Sequence, residues 1–297
     1  MRTLARPLRE VFRDKANFVL VPHVNPDGDA IGSCLALFLA LRRRGKQCRV
    51  LLDEPVPSRY RFLPGSAEVT GHPPGDQEFV LVALDCTDES RWGYPREGLA
   101  AASVVVNMDH HVSNSRFGDY QLVDEDASAT GEIVFELLRD LGWGITSDEA
   151  TSLYTAIATD TGSFRFANTT PRSLEICADL VRAGAKPDRI AEEVFETRSL
   201  AATLLLQRAL SSLRVDQSGR IAWMCLGLED FRESGASAED TEGIVNNARM
   251  IEGVEVGLLF REIGEGRVKV ALRSKSTVDV SRVASAFSGG GHPAARG

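Results

Sequence analysis

"HVNPDGDAIGS", residues 23–33, carries a histidine, two aspartates, a proline and two glycines in eleven positions. The apolar run 18–22 before it reads as a strand, and apolar residues at helical spacing continue from about 29 to 44. Residues 48–52 form the next strand-like run, so the opening is a βαβ unit. Pro26 and Gly28 punctuate the turn from strand to helix. In an open sheet built from such units, ligands collect beyond the carboxyl ends of the strands. His23, Asp27 and Asp29 stand at such an end. Two carboxylates there also suit a turn or a helix cap. The reading therefore depends on what else the chain brings to the same edge.

The first half continues the alternation. Runs 79–84, 103–107 and 120–123 are strand-like. "SATGEIVFELLRDLG" and "SDEATSLYTAIATDTG" have helical spacing, with Ser128 or Thr130 and Ser147 as N-cap candidates. Buried runs separated by helices imply an α/β fold with a mostly parallel sheet covered on both faces. Near Lys186 the pattern changes. Asp188 to Leu213 contains neither Gly nor Pro, with a break expected at 197–199, where Ser199 can cap a second helix. Beyond it "GRIAWMCLGL", "EVGLLFREI" and "RVKVALRSK" are strand-like and "EDTEGIVNNARMI" is helical. The expected organisation is an N-terminal α/β domain over 1–187, a helical linker over 188–214 and a smaller mixed α/β domain over 215–297.

Composition narrows the functional classes. With 297 residues, 43% of them hydrophobic, the chain can bury a sizeable core. Its longest apolar runs fall well short of the roughly 20 residues of a membrane helix, so no membrane partner is expected. "MRTLARPLREVFRDK" reads as a charged amphipathic helix without signal-peptide features, and a cytoplasmic location is expected. Five scattered cysteines without a CxxC pair argue against a disulfide framework or a thiolate zinc site. A net charge of −8 argues against non-specific coating of nucleic acid. Small or short anionic substrates remain.

The other strand ends then supply the census. "LDCTD" places Asp85 after the third strand, and "NMDHHVSN" brings Asp109, His110 and His111 after the fourth. "ATDTGSF" puts Asp160 at a helix end before a glycine turn. Each cluster alone also suits a cap, a turn or ordinary surface. Together, the carboxylates of Asp27, Asp29, Asp85 and Asp160 would repel one another, and burying them uncompensated is prohibitive. Two divalent cations would cancel their charge. Mixed Asp/His ligation favours Mn²⁺, with Mg²⁺ and Co²⁺ as alternatives. "GDAIGS" lacks the lysine of a phosphate-binding loop and no GxGxxG follows a strand, which demotes kinases and nucleotide-dependent oxidoreductases. The natural reaction of paired divalent ions is hydrolysis of a phosphate ester.

These blocks resemble the DHH phosphoesterases, whose motif stands here as Asp109-His110-His111. "HVNPDGDAIGS", "LDCTD", "NMDHHVSN" and "ATDTGSF" match in order, and "SGGGHPAARG" at 288–297 is similar to the GGGH motif of the accompanying DHHA1 domain. The resemblance implies one metal held by His23, Asp27 and Asp85, and a second by Asp29, Asp85, His110 and Asp160. It makes His111 a group facing the scissile phosphate and Asp109 the residue fixing the histidines. Gly289, Gly290, Gly291 and His292, with Arg273 and Arg165, are the candidates for gripping substrate. The family ordinarily continues beyond the GGGH loop into a strand or helix that supports it, whereas this sequence has five residues after His292, and whether it is truncated there stays open.

Within the superfamily the chain looks most like nano-RNA phosphodiesterases that also act on 3'-phosphoadenosine 5'-phosphate (pAp). The implied substrates are short single-stranded RNA and small nucleotides, and the implied assembly is a homodimer. RecJ-type exonucleases are longer, and family II pyrophosphatases lack GGGH. Three alternatives stay open. They are hydrolysis of linear or cyclic dinucleotides such as pApA or c-di-AMP, a nucleotide-binding sensor without turnover, and a structural cation site in an unrelated α/β protein.

Overall fold

The computed structural model describes residues 6–73, 75, 77–275, 278–287, 291–292 and 295–296. The chain divides into two compact units, Met1–Thr197 and Arg198–Gly297. The stretch 188–214, expected as a linker, is shared between them.

The first unit opens with α1 (Arg6–Asp14), β1 (Asn17–Val21), α2 (Gly28–Arg43) and β2 (Gln47–Val50). It continues with β3 (Phe79–Leu84), β4 (Ala102–Asp109), β5 (Tyr120–Val123), α3 (Thr130–Asp140) and α4 (Ser147–Asp160). It closes with α5 (Pro171–Ala183), α6 (Pro187–Ala191) and one π-helical turn, Glu192–Glu196. The five strands form a parallel sheet in the order β2-β1-β3-β4-β5. The order reverses between β1 and β3, which is where such a sheet offers a crevice.

Alternate side chains serve two cores. Phe18, Leu20, Val80, Val82, Leu84, Val106 and Met108 pack with the helices. Val19, Val21, Leu81 and Ala83 face the other way, where Trp92 and Leu99 from the irregular chain between β3 and β4 cover them. Both faces are thus covered, one by helices and one by loops. α2 is buried on nearly every side, as a helix apolar all round must be. Gly32 permits its close approach to α4, since a Cβ there would collide with the Ser152 carbonyl oxygen.

Two expected caps differ. α4 is capped by Thr146, whose hydroxyl accepts from the Glu149 N–H while Glu149 accepts from the Thr146 N–H at 2.8 Å; Ser147 is the first helical residue. Glu149 is fully buried and accepts from Arg43 Nε at 2.9 Å and Nη2 at 3.1 Å, so this carboxylate joins α4 to α2. At α3 the cap position is Ala129, and neither Ser128 nor Thr130 supplies the capping oxygen. A carboxylate from another helix does so instead.

The second unit comprises α7 (Leu200–Ser211), β6 (Arg214–Val215), β7 (Ile221–Leu226), α8 (Leu228–Ser234), α9 (Ile244–Arg249), β8 (Val256–Gly264) and β9 (Arg267–Ser274). α10 (Val280–Ser285), β10 (Gly291–His292) and β11 (Ala295–Arg296) follow. Its sheet runs β10-β11-β9-β8-β7-β6, with β7 and β8 parallel and the other neighbours antiparallel. Leu205 and Ala209 of α7 pack on Met224, Val245 and Leu259. Ser199 caps α7, accepting from the Ala202 N–H at 2.9 Å. The helix expected across "EDTEGIVNNARMI" is shorter, because Gly243 takes a φ of 78° immediately before Ile244. Among the described residues no helix is long and apolar enough to cross a membrane.

Candidate metal centre

The carboxyl ends of β1, β3 and β4 deliver the site. After β1 the chain stays extended to His23, whose backbone bridges Trp92, and the Gly93 N–H donates to the Pro22 carbonyl at 2.7 Å. After β3 the chain turns sharply. Asp85 takes a left-handed φ of 59° while its N–H donates to the Met108 carbonyl at 2.9 Å. That conformation costs a non-glycine residue roughly 1 kcal/mol and is borne best by Asp and Asn. Asp109 is the last residue of β4, not the first beyond it.

The two aspartates of the opening stretch have different surroundings. Asp27 caps α2, its Oδ1 accepting from the N–H groups of Asp29 at 3.0 Å and Ala30 at 3.1 Å. The cap reading and the ligand reading therefore meet in one residue, because Asp27 Oδ1 also lies 3.9 Å from His23 Nε2. Asp29 is buried and turned toward α3. Its Oδ2 accepts from the Thr130 N–H at 2.6 Å, and its Oδ1 from the Gly131 N–H at 2.9 Å and the Ser33 hydroxyl at 3.1 Å. This is the missing cap of α3, a carboxylate placed at a helix N-terminus.

Two imidazoles face Asp85 from opposite sides. His23 Nε2 is 3.5 Å from Asp85 Oδ2, and His110 Nε2 is 3.7 Å from Asp85 Oδ1. Their other nitrogens lie against carbonyl oxygens, His23 Nδ1 at 2.7 Å from Val24 and His110 Nδ1 at 3.2 Å from Ala127. In the neutral ring each Nδ1 carries the proton, so each Nε2 presents a lone pair. His110 Nε2 is buried without a hydrogen-bond partner among the described residues. It stands 3.8 Å from Asp29 Oδ2 and 3.7 Å from Asp160 Oδ2 as well. These separations are too long for hydrogen bonds. They suit donors that share an ion about 2.0–2.2 Å from each. His23, Asp27 and Asp85 also bring donor atoms within 4.8 Å of one another, as do Asp85, His110 and His111. The residues present fit divalent metal.

His111 is arranged otherwise. Its Nδ1 lies 2.7 Å from Asp109 Oδ1 and 3.6 Å from Asp85 Oδ1, and its ring tilts against that of His110 with centroids 4.5 Å apart. Asp109 is buried and also accepts from the His110 N–H at 2.9 Å and from Asn114 Nδ2 at 2.6 Å. Asp160 is steadied by Asn168, whose Nδ2 donates to its Oδ2 at 3.1 Å.

The electrostatics carry the strain of bringing these groups together. Burial, with the charges of Asp85, Asp160 and Asp27, raises the Asp29 carboxyl well above its usual range. Burial, opposed by His110 and reinforced by Asp27 and Asp85, pushes Asp160 up to about 7. Burial works against the His111 cation, but the Asp109 hydrogen bond and neighbouring carboxylates lift its pKa to about 9. His23 is likewise raised, its burial outweighed by Asp27 and Asp85. Asp85 is lowered although burial opposes it, because three imidazoles surround it.

The structure thus brings His23, Asp27, Asp29, Asp85, Asp109, His110, His111 and Asp160 together. Arg165 lies in the loop after α4, with its Nε tied to the Gly162 carbonyl at 2.6 Å. Arg273 is on β9 of the second unit, where Nη1 donates to the Leu272 carbonyl at 3.0 Å and burial lowers its pKa. The backbone register pairs His292 with Ala295 and Ala295 with Arg273, so three neighbouring strands align these positions. Gly289 and Gly290 lie outside the described residues, and Gly291 opens β10. Sequence reasoning missed Thr130, Asn114 and Asn168 as supports. "SATGE" was legible only as a helix start, since nothing in it announces which carboxylates it meets.

A parallel sheet with paired acid and imidazole groups at its carboxyl edge, followed by a mixed-sheet unit, defines the DHH class of phosphoesterases. The chain belongs to the DHH–DHHA1 family, with residues 17–157 matching the DHH family N-terminal domain and 220–297 the DHHA1 domain. A Thermus thermophilus protein named bifunctional oligoribonuclease and PAP phosphatase NrnA is 37% identical over 100% of this chain and 87% of its own. A Bacillus subtilis protein of the same name is 26% identical over 94% of this chain and 88% of its own. The crystal structure of an exopolyphosphatase-related protein from Bacteroides fragilis superposes with a TM-score of 0.90 at 27% identity, covering 100% of this chain and 92% of that one. RecJ of Thermus thermophilus, crystallised with Mn²⁺, shares the fold with a TM-score of 0.53 at 12% identity, over 99% of this chain and 52% of its own.

Proposed function

We propose that this chain is a metal-dependent phosphoesterase that hydrolyses short oligoribonucleotides to 5'-mononucleotides and converts pAp to AMP. The observation that carries the reading is the buried, unpartnered His110 Nε2 standing 3.7–3.8 Å from three carboxylate oxygens. The names of the relatives from Thermus thermophilus and Bacillus subtilis point to the substrates.

His23, Asp27 and Asp85 would hold one divalent cation, and Asp29, Asp85, His110 and Asp160 the other, with Mn²⁺ preferred by the mixed donor set. When bound, such a pair neutralises charge on a phosphoryl oxygen and acidifies a water. Asp109 holds the His111 ring through Nδ1, leaving Nε2 to donate to the phosphate. Arg273 and His292 of the second unit are the proposed grip on a terminal phosphate, with Arg165 a further cation for the substrate. The proposed assembly is a homodimer, which light scattering tests.

The deciding experiment is a turnover panel of pAp, di- to octaribonucleotides, pApA and c-di-AMP with Mn²⁺, Mg²⁺ and Co²⁺. Release of mononucleotides from the shortest RNAs and of AMP from pAp is expected. Turnover confined to pApA or c-di-AMP, or none at all with any metal, overturns the reading.

A further inference from the structure

Thr130, the first residue of α3, touches two of the four acidic groups at once. Its hydroxyl donates to Asp85 Oδ1 at 2.9 Å, and its backbone N–H donates to Asp29 Oδ2 at 2.6 Å. The residue is fully buried. Gly131 beside it leaves no room for a side chain, because a Cβ there would lie 2.7 Å from that of Ala156. α3 therefore enters the site with its first turn pressed between α2 and α4.

The two oxygens that Thr130 binds are not an arbitrary pair. Asp85 Oδ2 faces His23, whereas Oδ1 faces His110, and Asp29 Oδ2 also faces His110. Both contacts of Thr130 thus fall on the His110 side of the centre. No described contact joins Thr130 to His23 or Asp27. A carboxylate torsion is broad, so a donor fixed on the helix start restricts which way Asp85 turns its Oδ1. The Thr130 hydroxyl supplies that donor.

We infer that Thr130 is a positioning residue that prepares the His110 side of the centre for its cation while leaving the His23 side unaffected. The inference rests on the two-ion reading above. It predicts selective loss of one ion, an effect that general damage to the fold does not produce. Thr130→Val preserves shape and the backbone N–H but deletes the hydroxyl. Thr130→Ser keeps the hydroxyl, and Thr130→Ala replaces the valine variant if that does not fold.

The test is Mn²⁺ titration by calorimetry, together with electron paramagnetic resonance to separate coupled pairs from single ions. The wild-type chain is expected to bind two ions. Thr130→Val should keep one at unchanged affinity and weaken the other by on the order of 10-fold, the effect typical of losing a residue that orients a ligand. Thr130→Ser should restore the pair. Wild-type affinity at both sites in Thr130→Val, or equal weakening of both, overturns the role of Thr130. A wild-type chain that binds fewer than two ions overturns the two-ion reading and this role with it, and is recognised because no substitution is involved.

Discussion

Asn168 Nδ2 donates to both the carboxylate and the carbonyl oxygen of Asp160, at 3.1 and 3.2 Å, and to the Ser128 carbonyl at 3.1 Å. One amide thereby links the end of α4 to the chain just before α3. Replacing Asn168 by Ala frees the Asp160 side chain to rotate. The Mn²⁺ concentration giving half-maximal turnover should rise by about 10-fold, with kcat at saturating metal largely retained. An unchanged metal dependence would show that Asp160 is held without this amide.

Asp160 also sets stability against activity. Burial and like charge raise its pKa to about 7, so in metal-free protein the ionised form is a burden. Asp160→Asn should lower turnover more than about 100-fold by removing a proposed metal donor. The same change should raise the melting temperature of chelator-treated protein above that of the wild type at pH 8. Calorimetric melting with EDTA checks it, and a lower melting temperature for the variant refutes it.

The pH dependence of metal-free protein has a definite sign. Asp160 titrates near 7 in the fold and near 3.9 unfolded, so the folded chain binds the extra proton and stability falls as pH rises through about 7. His111 titrates near 9 folded and near 6.5 unfolded, so its contribution is full below about 6.5 and is lost as pH rises through about 9. Asp85, held low, contributes equally across this window. Melting temperature in EDTA should decline from pH 6 to pH 9, and saturating Mn²⁺ should flatten the decline. A rise over that range would refute the assignment of these groups.

Far from the centre, Glu149 offers a structural control. Its buried carboxylate takes two hydrogen bonds from Arg43 and one from the Thr146 N–H. Glu149→Gln should destabilise the first unit by about 2 kcal/mol, the scale of losing a charge-assisted hydrogen bond. Turnover at 25 °C should be unchanged. Urea unfolding followed by circular dichroism measures the first, and the substrate panel the second.

The strand ends were legible because Asp85 directly follows the buried apolar run 79–84 and Asp109 completes β4. Periodicity then forces those ends to one edge of a parallel sheet. The supports were not legible, since Asn168 and Thr130 act through contacts that exist only after α3 and α4 dock. The caps failed for a related reason. Thr146 displaced Ser147 because its partner Glu149 is fixed by Arg43, and Asp29 took the cap of α3 because a helix N-terminus accepts a carboxylate from any part of the chain. Local propensity cannot see a partner a hundred positions away.

The side chains that build and steady the centre run from His23 to Asn168. A chain emerging from the ribosome folds from its N-terminus as residues appear. The sheet strands are all available by Val123, yet Asp160 and its amide support arrive later. The donors proposed for a cation on the His110 side are therefore complete only after every strand of the sheet has been made.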